Sequence, residues 1–61
     1  MQNKINPHIE KSLKEIRYNL VKIRKAAKKD TWTLEERQQM LATFEKLGLA
    51  VNVLKARCGL A

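Results

Sequence analysis

Residues 9–29, IEKSLKEIRYNLVKIRKAAKK, decide how this chain folds. The apolar members Ile9, Leu13, Ile16, Leu20, Ile23 and Ala27 recur at steps of four, three, four, three and four. That period places all six on one narrow face of an α-helix, as the seam of a coiled-coil-like packing. At about 100° per residue, the far side carries Lys11, Lys14, Tyr18, Lys22, Lys25 and Lys29. One side of the helix is built to be buried, and the other presents five lysines around a single tyrosine.

The boundaries follow from capping chemistry. Asn6 before Pro7 is a helix start: an N-cap side chain, then a proline where its missing N–H costs nothing. The pattern then runs to about Lys29, with Lys28 and Lys29 suiting the negative end of the helix dipole. The spacing predicts a first helix over 7–29, after a short polar lead over 1–5. Residues 30–33 form the break. Thr33 opens a second helix with a T-x-x-E capping box closed by Glu36, and Glu35 adds a second favourable charge. The stop lies at Cys58, followed by Gly59 for a left-handed cap and Leu60 folding back on the last turn. The second helix spans about 34–58. Two helices of similar length joined by a short loop make an antiparallel αα-hairpin, and the whole chain, 1–61, reads as one all-α domain.

The second helix carries two apolar faces. Met40, Phe44, Leu47, Val51, Leu54 and Cys58 repeat the four-three pattern and should meet the seam of the first helix, with Cys58 as a small buried group. Nearly opposite lie Ala42, Leu49, Val53, Ala56 and Leu60, with Leu41 flanking beside Gly48. A lone hairpin covers only the first set. The expectation is therefore a homodimer, a four-helix assembly joined through Leu41, Ala42, Gly48, Leu49, Val53, Ala56 and Leu60, with the second helices at its centre. The same apolar face is alternatively the docking surface for a partner protein, as in a small inhibitor or adaptor.

Length argues for association as well. Sixty-one residues build a small core, and chains of this size usually add a disulfide, a metal or a partner subunit. The single cysteine excludes an internal disulfide, and the single histidine, His8, leaves no ligand set for zinc. No apolar run approaches a membrane span, and no signal-peptide core follows the start, so a reducing cytoplasm is expected. Nucleophile, base and oxyanion donors never converge, so neither catalytic residues nor a cofactor are expected and the chain does not read as an enzyme. Trp32, just before the N-cap, is expected to cover the end of the core.

The net charge of +7 is unevenly placed. Residues 1–30 hold nine Lys/Arg against three acids, or +6, and residues 31–61 hold four against three, or +1. The stripe Lys11–Lys14–Tyr18–Lys22–Lys25–Lys29 covers about 27 Å of helix, with Arg17, Arg24 and Lys28 flanking it. Ordinary surfaces mix both signs, so a one-sign stripe is suited to a polyanion. Lysines contact phosphates as point charges and release counterions, and an exposed tyrosine ring can stack on a base. The expected function is nucleic-acid binding, RNA or DNA, by backbone and shape, since the stripe lacks the side chains that read base edges. An acidic protein partner is the alternative ligand for the stripe. Membrane attachment is disfavoured because the apolar face of the first helix is already matched to the second. In layout the chain resembles the Rop-type regulators of plasmid copy number: similar length, a hairpin, and an aromatic among basic residues on the first helix. Those proteins dimerise and bind paired RNA loops through their first helices; the resemblance is one of fold, with no shared residue motif.

Overall fold

A computed structural model describes residues 4–60. It contains two helices, α1 (Pro7–Ala27, 21 residues) and α2 (Leu34–Arg57, 24 residues), packed against each other, with no strand among the described residues. Residues 1–3 of the expected polar lead lie outside the described part, and Lys4 and Ile5 are non-helical and exposed.

Local chemistry sets the ends. The Asn6 side chain accepts the His8 N–H at 2.8 Å, and Pro7 occupies the first turn. Thr33 Oγ1 accepts the Glu36 N–H at 3.1 Å, while Glu36 Oε1 accepts the Thr33 N–H at 2.9 Å, a complete capping box. Gly59 takes φ +73°, and the Gly59 and Leu60 N–H groups donate to Ala56 and Lys55 carbonyls at 3.0 and 2.8 Å. These two bonds define a Schellman cap. The cap trims α2 to Arg57 and leaves Cys58 exposed at the C-cap, not buried on the seam.

At the other end α1 stops at Ala27, two residues short of expectation. The Ala26 carbonyl accepts both the Lys29 N–H (3.1 Å) and the indole N–H of Trp32 (2.9 Å). Trp32, half-buried, thus ties the turn to the last helical residues of α1, and Lys28 and Lys29 fall outside the helix.

The contact between the helices is rotated from the expected seam. The buried residues are Ser12 (2 % exposed), Asn19 (6 %) and Ala50 (5 %). Ser12, Asn19 and Ala26 are spaced by seven on α1, as are Thr43, Ala50 and Arg57 on α2. Arg57 Nη1 donates to Ser12 Oγ at 2.7 Å and to the His8 carbonyl at 2.6 Å. Asn19 shares a cleft with Ala50, and Ala26 shares one with Thr43. Each step of seven up α1 therefore matches a step of seven down α2, with a small or medium side chain at every position of the line but Arg57. The polar members are satisfied internally. Asn19 Nδ2 donates to the Glu15 carbonyl and Thr43 Oγ1 to the Gln39 carbonyl, each at 2.9 Å. No buried side-chain polar atom lacks a partner among the described residues.

Ile9, Ile16 and Ile23, with Met40, Leu47 and Leu54, flank this line half-buried. Of the alternate members of the expected seam, Leu13 and Val51 stay half-buried, whereas Leu20 at 44 %, Phe44 at 48 %, Ala27 and Cys58 are exposed. The cause is geometric. A four-three apolar ladder marks which side of a helix is apolar, but small residues beside it let the two backbones approach there instead.

Candidate nucleic-acid interface

The packing line assigns every other residue to a face. In an antiparallel pair, one step along either helix turns toward the same side of the hairpin. The residues directly after the close-packed positions are Leu13, Leu20, Ala27, Phe44, Val51 and Cys58, all apolar. Those directly before are Lys11, Tyr18, Lys25, Ala42, Leu49 and Ala56. The hairpin accordingly has one apolar face and one face where α1 contributes cations and an aromatic.

Lys11, Lys14, Arg17, Tyr18, Lys22, Arg24, Lys25, Lys28 and Lys29 are all exposed. The unbroken helix between Pro7 and Ala27 holds Lys11, Lys14, Tyr18, Lys22 and Lys25 on one side, over about 21 Å. Tyr18 is 62 % exposed, and Lys22 Nζ sits 4.7 Å from its ring centroid, a cation–π contact. Arg17 and Arg24 are turned toward the apolar face, beside Leu13 and Leu20 in helical phase.

Lys29 departs from the expected stripe. Lying beyond the end of α1, it forms an ion pair with Glu36, the only one among the described residues. The Lys29 ammonium, followed by the Thr33 N–H, holds the Glu36 carboxyl below its ordinary value. Lys29 thus closes the turn, whereas the helical lysines have no carboxylate partner among the described residues.

One cation of this face comes from α2. Lys46, four residues before Ala50, lines a cleft of about 350 Å³ together with Tyr18, Asn19, Lys22, Leu49, Ala50, Val53 and Glu15. A second cleft, of about 360 Å³, shares Lys22 and Lys46 and continues past Ile23, Ala26 and Met40 to Trp32. Together they form a groove along the seam, with lysines at its middle and an aromatic at each end. The sequence reading missed Lys46 because the charge excess pointed to the first helix alone. The spacing of seven from Ser12 to Ala26 was the available signal for the facing register.

The residues expected at an interface divide between sides. Leu41, Ala42, Gly48, Leu49, Val53, Ala56 and Leu60 are all exposed. Leu49 and Val53 belong to the Tyr18 cleft, whereas Leu41 and Gly48 lie nearer the apolar face in helical phase. No helix among the described residues is long and apolar enough to cross a membrane, and no group of three His, Cys, Asp or Glu is placed to hold a metal ion there. Comparison of the chain with family models, characterised proteins and solved structures returns no match.

Proposed function

We propose that this chain is a small regulatory protein that binds nucleic acid through α1 and acts as a homodimer. The observation that carries the reading is the stripe of Lys11, Lys14, Lys22 and Lys25 around Tyr18. It is exposed, lies on a continuous helix, and has no carboxylate partner among the described residues. Like charges held along one rod repel, and a phosphate backbone relieves that repulsion while releasing counterions.

Dimerisation is supported by the face opposite the groove. Ala50 is the only buried apolar residue among those described, and the Cα positions form a slab 13 Å thick. Such a layer has no interior of its own, so Leu13, Leu20, Phe44 and Val51 need a covering layer. A second copy supplies one, since it carries the same four-three ladder on both helices. Charge sets the arrangement: residues 1–30 carry +6 and residues 31–61 +1, so each α1 lies over the α2 of its partner. Both stripes then face outward. We place the interface here, with Leu41 and Gly48 at its rim, and leave Ala42, Leu49 and Val53 on the groove side.

The test replaces Lys11, Lys14 and Lys25 together by glutamine and measures nucleic-acid affinity against salt. The expected result is a log–log salt slope smaller by about two to three, with unchanged helicity. Unchanged affinity would overturn the reading. So would capture of a protein that persists through nuclease and high salt, which would make the stripe or the apolar face a protein-docking surface.

A further inference from the structure

The two helices jointly build something neither carries alone: an aromatic wall, an apolar wall and a pair of lysines from opposite sides. Tyr18 stands on α1, Leu49 and Val53 line the α2 side, the buried Asn19 and Ala50 lie at the seam between them, Lys22 and Lys46 come from one helix each, and Glu15 adds a single carboxylate. From these we infer that the cleft seats an unpaired nucleobase against the Tyr18 ring, with Lys22 and Lys46 on the neighbouring phosphates. Single-stranded nucleic acid would then be the preferred ligand.

The inference rests on the reading of α1 as a nucleic-acid face and goes further in naming the form of the ligand. A base inside a duplex shows only its edges, so an aromatic ring can meet its flat surface only when the base is unstacked. A stripe of lysines alone would serve a duplex at least as well. The apolar side of the cleft distinguishes it from such a stripe, because Leu49 and Val53 offer nothing to a phosphate and a fitting surface to a base. The volume of about 350 Å³ lies within the range of small-ligand sites. In the free protein the Lys22 ammonium rests near the Tyr18 ring. Its flexible stem lets it leave that position for a phosphate, exposing the ring for stacking.

The same groove explains the placement of Lys46. It is exposed, has no carboxylate partner among the described residues, and lines both clefts together with Lys22. A strand running between the helices would pass both ammonium groups.

The experiment measures affinity of the full chain for labelled oligo(U), oligo(dT) and a mixed-sequence duplex by fluorescence anisotropy across a salt series. Single strands are expected to bind at least tenfold more tightly than the duplex. Tyr18→Ala should weaken single-strand binding by about 5- to 150-fold, while Tyr18→Phe keeps it. Lys46→Ala should reduce the single-strand salt slope by about 0.7 and leave duplex binding unchanged. Tighter binding of oligo(U) than oligo(dT) would identify RNA as the source of the base, and the reverse DNA; either supports the seat. Duplex binding as tight as single-strand binding, with Tyr18→Ala silent, would overturn the cleft while the stripe stands. Binding of neither would overturn both.

Discussion

Ser12 and Asn19 hold positions that a hydrophobic pattern would give to leucine. Their small side chains let the backbones approach, and each is satisfied: Ser12 by Arg57, Asn19 by the carbonyl one turn below. Arg57 contributes through geometry, since one guanidinium nitrogen reaches both the Ser12 hydroxyl and the His8 carbonyl. Glu36 has an equally dense role at the turn, completing the capping box while pairing with Lys29. Its carboxyl is held below the ordinary value, so the stability it contributes is present above the usual carboxylate range and is lost as pH falls. Between about pH 5 and pH 3 the wild-type melting temperature should therefore drop more steeply than that of Glu36→Gln. Glutamine retains the capping box but not the ion pair, so parallel thermal melts across that interval would assign the acid sensitivity elsewhere.

At the scale of the helices, what could be read from the sequence and what could not divide along one physical line. The caps at Asn6, Thr33–Glu36 and Gly59 were legible because each depends on a few neighbouring residues and their own backbone. Helix pairing depends on which of two adjacent faces packs more closely against the other helix. The ladder from Ile9 to Ala27 identified the apolar side, yet Ser12 and Asn19 beside it are the buried residues of α1. The basic stripe was legible from helical phase alone, whereas Lys46 entered the groove only through register between helices. Lys29 was misplaced because Trp32 ends α1 early and hands that lysine to Glu36. Gly48 tests the surroundings of α2 directly. A Cβ built there meets nothing within 4 Å, so Gly48→Ala should raise stability by about 0.5–1 kcal/mol in urea denaturation. A loss instead would show another backbone passing close to that position.

At the scale of the molecule, the hairpin is a single layer of two helices. Its two faces differ in chemistry, with an unbroken apolar set on one and a groove rimmed by lysines on the other. Placing the interface on the first leaves the second free for ligand. Phe44→Glu should shift the chain to monomer in sedimentation equilibrium, because a carboxylate would be carried into the covered layer. Leu49→Glu, on the groove side, should leave the dimer intact. The reverse pattern would move the interface onto the groove and remove the space for a nucleotide.

The fastenings at the two ends of the hairpin differ greatly in how much chain they enclose. Around the turn, Trp32 and Lys29 reach partners six and seven residues away, while Arg57 reaches across 45 and 49. Short enclosures close first and cost the least chain entropy, so zipping starts beside the tryptophan and finishes at the arginine clasp. Fraying runs in the opposite direction. Backbone amides of the first turns of α1 and the last turns of α2 accordingly exchange with solvent deuterium ahead of those near Ala26.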